Sequence, residues 1–212
     1  MLARTIAIID YGAGNVFSVE QGVRRASDNQ DDVIHITHDL DHIARASHII
    51  LPGVGAFGDC ISALKAQHGL IELLEERVLR HNVAFLGICV GMQMLFETGH
   101  EHGTYKGLGW LKGEVKQIAS PQRDFKIPHM GWNTLQIQSP HDIVDDVASG
   151  EHVYFVHSYQ AYCDSVYQVA TTDYGAVIPA IVAHHNIIGM QFHPEKSQHV
   201  GHKLLENFLK IG

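Results

Sequence analysis

Three residues of this chain have the types and the spacing of a thiol hydrolase. Cys89 stands between two glycines in the run 87–91, directly after the apolar stretch 83–86. A nucleophile on a sharp strand-to-helix turn needs small neighbours, because a side chain there would clash with the crowded backbone. We therefore predict that Cys89 is the nucleophile and that the backbone N–H of Val90 points at the oxyanion. The alternative is a buried structural cysteine beside packing glycines.

The base and its orienting acid are predicted near the C-terminus. His193-Pro194-Glu195 follows the apolar run 187–192. Side chains two positions apart in an extended segment project to the same side, and Pro194 biases His193 away from helix. We predict that His193 takes the thiol proton and returns it to the leaving group, while Glu195 holds the imidazole ring. The chain has 17 histidines, and most of them are better explained as ordinary surface or core side chains.

The elements that must position these residues alternate in type along the first half of the chain. We predict strands at 5–10, 31–37, 47–51 and 83–88, and helices at 16–26, 39–46, 59–80 with a break near Gly69, and 92–97. This alternation is typical of a doubly wound, mostly parallel sheet. The second half is richer in β-structure, with strands expected at 110–118, 134–138, 152–159, 166–171, 178–183 and 187–192. Short and closing helices are expected at 142–148 and 198–209. We predict one domain over residues 1–212.

Two glycine-rich loops follow predicted strands. The loop 52–58 could bring a second backbone N–H to the oxyanion beside Cys89. An ordinary strand-to-helix turn is the alternative for this loop. The loop 11–15 contains Gly12 and Gly14, but Phe17 occupies the place of the third glycine of a dinucleotide fingerprint, so nucleotide binding is disfavoured.

Composition excludes several classes of protein. A formal net charge of -8 disfavours nucleic acid as the main partner. No apolar run is long enough to span a membrane, and the chain begins with a strand rather than a signal peptide. Three cysteines argue against a disulfide framework and for the reducing cytoplasm. The pairs His184–His185 and His38–His42 lack the additional ligands that would complete a metal site, so we expect no metal.

These motifs together resemble a known family. The run Gly87-Ile88-Cys89-Val90-Gly91-Met92-Gln93, combined with His193-Pro194-Glu195, resembles the class I glutamine amidotransferases, whose fold is flavodoxin-like α/β. Five further stretches are similar to one branch of that family, the glutaminase subunits of imidazole glycerol phosphate synthase: 11–15, 52–57, 130–133, 155–159 and 193–198. The resemblance spans nearly the whole chain. Val90 is a departure, since leucine is more usual there, but only its main-chain N–H is needed.

The resemblance implies a reaction and a role for each site residue. Cys89, His193 and Glu195 would hydrolyse L-glutamine to glutamate and ammonia through a γ-glutamyl thioester, with no organic cofactor and no metal. The oxyanion would be bound by N–H groups of Val90 and of the loop that contains Gly53 and Val54. The substrate would be held by Gln93 and by backbone groups of Ser158 and Tyr159.

The resemblance also implies a partner. A cyclase subunit with a (β/α)₈ barrel would form a heterodimer with this chain and use the ammonia to make imidazole glycerol phosphate and an aminoimidazole carboxamide ribonucleotide in histidine biosynthesis. The residues facing it would be Asn15, Met130, Trp132 and Lys196. Another class I amidotransferase, serving pyridoxal phosphate or anthranilate synthesis, is an alternative, although the loop 52–57 disfavours the pyridoxal type. A non-catalytic interaction protein is a third hypothesis, disfavoured by the intact Cys, His and Glu.

Overall fold

A computed structural model describes residues 3–119 and 126–212. The helices in these ranges are α1 Val16–Ala26, α2 Leu40–Ala44, α3 Phe57–Lys65, α4 Leu70–Glu75, α5 Val90–Gln93 and α6 Gln198–Phe208. The strands are β1 Thr5–Ile9, β2 Val33–Thr37, β3 His48–Gly53, β4 Ala84–Cys89, β5 Phe96–Gly99, β6 Tyr105–Lys106, β7 Leu111–Gln117, β8 His129–Thr134, β9 Gln136–Ile137, β10 His152–His157, β11 Tyr159–Tyr162, β12 Gln168–Asp173, β13 Val177–His184 and β14 Ile187–Met190. A π-helical turn, Glu76–Arg80, continues α4.

The main sheet of the described residues has the strand order β2-β1-β3-β4-β14-β13-β12-β9. The five strands from β2 to β14 run parallel, and the last three pair antiparallel. Every residue of β3, β4 and β14 is buried, as expected for central strands covered on both faces. Parallel strands end at the same edge of the sheet, so Gly53 at the end of β3 lies in register with Cys89 at the end of β4.

Two smaller sheets complete the described part of the chain. β10 pairs antiparallel with β8, and a second sheet has the order β11-β7-β5-β6. The backbone N–H of His193 donates to the Tyr154 carbonyl at 3.0 Å, which fixes β10 beside the segment that follows β14. No helix of the described ranges is both long and apolar enough to cross a membrane.

The α/β class and the mostly parallel central sheet are confirmed. The predicted helix at 92–97 is wrong, because α5 ends at Gln93 and the chain turns into strand β5. Phe96 and Gly99 are buried while Glu97 is exposed, and Phe96 pairs with Leu111 of β7. The helix expected at 142–148 is a single 3₁₀ turn, Asp142–Val144, and the strand β8 was not predicted.

Candidate active site

Cys89 lies on a strained turn at the carboxyl end of the central strand β4. Its backbone has φ 55° and ψ −112°, a region that non-glycine residues rarely occupy and that persists only when the surrounding packing holds it. The flanking glycines permit this packing. A Cβ on Gly91 would lie 1.9 Å from the Leu51 carbonyl oxygen, and one on Gly87 would lie 2.6 Å from the Gly91 carbonyl oxygen. The sequence motif therefore marks a turn in which three backbone segments meet.

His193 and Glu195 form a buried pair directly after β14. Nδ1 of His193 lies 2.8 Å from Oε1 of Glu195, and the two side chains are 4% and 1% exposed. The segment is fixed by a local hydrogen bond, in which the Ser197 hydroxyl donates to the His193 carbonyl at 2.7 Å. The hydrogen bond to the carboxylate places the proton on Nδ1 and leaves Nε2 as the atom that exchanges a proton.

The electrostatics of His193 suit a base that becomes charged. Burial lowers its pKa, but hydrogen bonds with Cys89 and Glu195 and their negative charges outweigh that effect, and together they raise the pKa to about 9. The imidazolium is therefore stabilised beside the sulfur. The arrangement can accept a proton from a thiol and keep it until a leaving group needs it.

The loop after β3 lies against the cysteine turn. A Cβ on Gly53 would be 2.6 Å from the backbone nitrogen of Gly91, so only glycine fits this approach. The carbonyls on either side of Gly53 are held by side chains from neighbouring elements: the Tyr11 hydroxyl donates to Pro52 O at 2.8 Å, and the Cys60 thiol donates to Val54 O at 3.3 Å. The loop is thus packed directly against the backbone of the cysteine turn, and its role in binding an oxyanion stays a prediction.

A cavity of about 320 Å³ opens above the sulfur. It is lined by Val54, Gly55, Cys89, Val90, Gln93, Glu101, Pro128, Val156, His157, Ser158, Tyr159 and His193. Most of the predicted catalytic, oxyanion and substrate residues therefore share one cavity. Glu195 lies behind His193, and Gly53 is paired beside Cys89. The volume is at the lower end of the range for small-molecule sites.

Sequence reasoning missed polar residues that line the cavity or lie behind its wall. Gln191 is completely buried, its Oε1 accepts from Gln93 Nε2 at 3.0 Å, and its Nε2 lies 3.9 Å from Cys89 Sγ. Its position two residues before His193 in an extended segment was an available signal. Glu101 also lines the cavity, where one of its oxygens accepts from the Phe57 N–H at 2.8 Å. Nothing local in the glycine-rich stretch 99–109 marks Glu101 as a site residue.

The four predicted partner residues are all exposed. Met130 and Trp132 are 61% and 47% exposed and lie on one face of β8, while Lys196 follows Glu195. Asn15 also caps α1, because its side chain accepts from Ser18 N. Nothing in the described ranges places three or more histidine, cysteine or acidic side chains around a common metal position.

Comparison with known proteins identifies similar sequences and folds. The profile of the family "Glutamine amidotransferase class-I" matches residues 7–211. Imidazole glycerol phosphate synthase subunit HisH of Ruegeria pomeroyi is 44% identical over 205 residues, which cover 96% of this chain and 97% of that protein. The HisH subunit of Agrobacterium fabrum is 45% identical over 211 residues, with 97% and 98% covered.

Solved structures show the same fold at much lower sequence identity. A glutamine amidotransferase crystal structure superposes with a TM-score of 0.73 at 16% identity, covering 97% of both chains. A glutamine amidotransferase from Thermotoga maritima superposes with a TM-score of 0.62 at 17% identity, covering 92% of this chain and 77% of that one.

Proposed function

Because this chain belongs to the class I glutamine amidotransferases, and within them to the HisH subunits of imidazole glycerol phosphate synthase, we propose that its cavity hydrolyses L-glutamine and that a partner subunit uses the ammonia. The observation that carries the proposal is the buried His193–Glu195 pair in the same site as Cys89 on its strained turn. The proposal treats residues 1–212 as one amidotransferase domain, supported by a family match over 7–211.

The first step forms a thioester. The sulfur of Cys89 attacks the side-chain amide carbon of glutamine, and His193 takes the thiol proton at Nε2. The oxyanion is bound by backbone N–H groups of Val90 and of the Gly53–Val54 loop, which lies in register with Cys89. As the tetrahedral intermediate collapses, the carbon–nitrogen bond breaks and His193 passes its proton to the departing ammonia. The high pKa of His193 and its bond to Glu195 support this role.

The second step releases glutamate. His193, neutral again, takes a proton from a water molecule that attacks the thioester carbon, and the same proton returns to the sulfur when the carbon–sulfur bond breaks. Glu195 keeps the ring in one orientation through both steps.

The cavity walls supply groups for the amino-acid end of glutamine. Among the described lining residues, Glu101 carries the one carboxylate, which suits the substrate's α-ammonium group. Gln93 gives both hydrogens of its amide to Tyr159 O and Gln191 Oε1, so its Oε1 is the atom turned toward a ligand. Backbone groups of Ser158 and Tyr159 complete this part of the site.

The partner that we propose is a cyclase subunit with a (β/α)₈ barrel, which forms a heterodimer with this chain. It would meet the exposed side chains Asn15, Met130, Trp132 and Lys196, and the ammonia would react in its barrel to give imidazole glycerol phosphate. Two large exposed apolar side chains on one strand are the kind of surface that a partner covers. We place the reaction in the cytoplasm, since Cys60, Cys89 and Cys163 are all free thiols.

Substitution of the nucleophile tests the chemistry. We expect Cys89→Ala to abolish glutamate release from glutamine while binding of the cyclase is retained. Cys163→Ala, which removes a cysteine outside the lining of the cavity, is the matched control and should keep wild-type activity. Glutamine hydrolysis that survives in Cys89→Ala would rule out Cys89 as the nucleophile.

A comparison of the free and the bound subunit tests the partner. Glutamate release is measured with the chain alone and then with the barrel cyclase and its ribonucleotide ligand. Gly53 and Gly55, the latter with φ +103°, permit the peptide around Val54 to change orientation, and we expect the partner and its ligand to select the orientation that completes the oxyanion site. Removal of one oxyanion donor typically costs about 10²–10³ in rate, and we expect stimulation of that order. Activity that responds only to another synthase would keep the thiol chemistry and overturn the partner.

A further inference from the structure

A line of hydrogen bonds runs from strand β8 to the wall of the cavity. The Asn133 side-chain amide lies 3.2 Å from Nε2 of His129, and Nδ1 of His129 lies 3.0 Å from Nε2 of His157. Nδ1 of His157 then lies 2.9 Å from the Tyr159 carbonyl oxygen. We call Asn133, His129 and His157 the histidine network. The thiol chemistry described above uses none of its three side chains.

The direction of every hydrogen bond in the histidine network follows from its two ends. A carbonyl oxygen only accepts, so His157 carries its proton on Nδ1 and, when neutral, accepts at Nε2. His129 must then donate from Nδ1 and accept at Nε2. The Asn133 amide supplies that last hydrogen, and its orientation is fixed independently because Nδ2 also donates to Asp173 O at 2.8 Å. A protonated histidine would place two N–H groups against each other.

Burial agrees with a neutral network. His129 and His157 are 2% and 6% exposed, and His129 is stacked between the rings of Phe155 and Tyr174, with centroids 4.5 and 4.0 Å away. Burial lowers the pKa of His129 to about 3, with a further contribution from His157, and lowers that of His157 to about 4. Both rings therefore act as fixed, uncharged hydrogen-bonding groups.

The end of the histidine network is a group that contacts substrate-binding residues. Tyr159 O accepts from His157 and also from Nε2 of Gln93 at 3.0 Å. The other end lies on β8, where alternate residues face opposite sides. Asn133 and His129 face inward, and Met130 and Trp132, the proposed partner contacts, face outward.

We propose that His157 is a positioning residue for glutamine and that His129 and Asn133 fix the tautomer in which it acts. His157 holds the Tyr159 carbonyl, which also accepts from the Gln93 amide. The inference rests on the proposed function, because the ligand to be positioned is glutamine.

Two substitutions of His157 separate its two hydrogen bonds. In His157→Asn, Nδ2 takes the place of Nδ1 and keeps the donor to Tyr159 O, but the contact with His129 is lost. In His157→Gln, Oε1 takes the place of Nε2 and keeps the acceptor for His129, but the donor to Tyr159 O is lost. The glutamine Kd is measured by calorimetry in the non-hydrolysing Cys89→Ala background, with and without the cyclase.

We expect His157→Gln to weaken glutamine binding about tenfold, the loss typical of one hydrogen bond, and His157→Asn to weaken it no more than about twofold. His48→Asn is the matched control. His48 is also buried, and its Nδ1 contacts the Ser47 hydroxyl at 2.9 Å, but it lies at the opposite end of β3 from the cavity. It should leave the glutamine Kd unchanged. Equal Kd values for folded Asn and Gln variants would overturn the proposal.

A spectroscopic measurement on the wild-type chain needs no activity. Imidazole ¹⁵N and ¹H shifts should identify His129 and His157 as neutral Nδ1–H tautomers throughout pH 5 to 8, with assignments taken from the single variants. Titration of either ring near pH 6.5, or an Nε2–H tautomer, would contradict the network. If no glutamine binding were found but the tautomers were as expected, the proposed function would fail and the hydrogen-bond geometry would stand.

Discussion

Two buried histidines of the same cavity have opposite electrostatic environments. His193 and His157 both line it, and each uses Nδ1 for a fixed hydrogen bond. Nδ1 of His193 faces the Glu195 carboxylate, whereas Nδ1 of His157 faces the neutral Tyr159 carbonyl. The pKa of His193 is raised to about 9 and that of His157 is lowered to about 4.

The comparison separates two effects that act together at most buried sites. Burial lowers the pKa of both rings, because it removes water from the charged form. Only His193 has acidic neighbours, Cys89 and Glu195, whose hydrogen bonds and charges reverse that effect, whereas the charge of His193 lowers the pKa of His157 further. His193 can therefore carry the positive charge that proton transfer requires, while His157 stays neutral and serves as a hydrogen-bonding group.

The largest expected effect comes from removing the carboxylate that distinguishes the surroundings of His193 from those of His157. Glu195→Gln replaces the carboxylate by a neutral acceptor and makes the surroundings of His193 resemble those of His157. We expect kcat for glutamine hydrolysis to fall by about 10³–10⁴, the loss seen when the carboxylate of such a triad becomes an amide. We also expect the pKa of His193, measured by NMR, to fall.

The control for Glu195→Gln is a histidine–glutamate pair on the surface. His81 Nε2 and Glu76 Oε1 are 3.7 Å apart, and both side chains are more than half exposed. Glu76→Gln should leave glutamate release unchanged. Wild-type kcat in Glu195→Gln would mean that His193 needs no carboxylate and would remove the basis of the comparison.

The next effect is on stability, and its sign differs between the two histidines. The pKa of His157 in the folded chain is below its unfolded value of about 6.5. Its stabilising contribution to the free energy of unfolding is therefore complete above pH 6.5 and is lost as the pH falls toward 4. The folded pKa of His193 is above the unfolded value, so its contribution is present below pH 6.5 and is lost as pH rises through about 9. The full effect for the buried His157 is on the order of 3 kcal/mol.

Urea unfolding of wild type, His157→Asn and His193→Asn is measured across pH 4.5 to 9.5. The free energy of unfolding of each variant is subtracted from that of wild type, so that the contributions of other titrating groups cancel. We expect this difference to increase with pH for His157→Asn and to decrease with pH for His193→Asn. Two differences with the same sign of slope would show that the rings share one environment.

The first half of the fold was predictable because its signals are local. The α1 range matches the prediction, since its apolar residues repeat at helical spacing and Asn15 provides the cap. β5 and β8 were not predicted, because their partners are distant in sequence. Phe96 pairs with Leu111, and β8 pairs with β10 while its apolar Met130 and Trp132 face outward. A local pattern cannot indicate a strand whose apolar side is the exposed one.

The residues of the candidate site likewise fall into those with a local sequence signal and those without one. Cys89, His193 and Glu195 stand in motifs whose spacing is itself the chemical signal, and the fold places all three together. Glu101 and the histidine network have no such spacing, and Gln191 has only its position two residues before His193. Their roles depend on contacts between strands far apart in the chain, such as the 28 residues between His129 and His157. Among 17 histidines, sequence alone could not select these two.

The smallest expected effect tests how the Glu195 carboxylate is held. Oε2 of Glu195 is buried with no hydrogen-bond partner among the described residues, so packing carries more of its positioning than it does at His157. Helix α1 supplies this packing through Gly22. A Cβ there would lie 3.0 Å from Glu195 Cβ, 3.3 Å from Glu195 Cα and 3.2 Å from Leu205 Cδ1. Gly22→Ala should therefore displace Glu195 by a few tenths of an ångström.

A displacement of about 1 Å can cost 10² in rate, so we expect Gly22→Ala to lower kcat by roughly three- to tenfold and to leave the glutamine Kd unchanged. Stability should change little, since alanine favours the helix by roughly 1 kcal/mol and the close contact opposes it. Gln21→Ala, on the exposed face of the same helix, is the control and should keep wild-type kcat. A higher glutamine Kd with normal kcat would contradict this prediction. It would show that Gly22→Ala acts on glutamine binding near His157 and not on catalysis by His193, the residue that the Glu195 carboxylate orients.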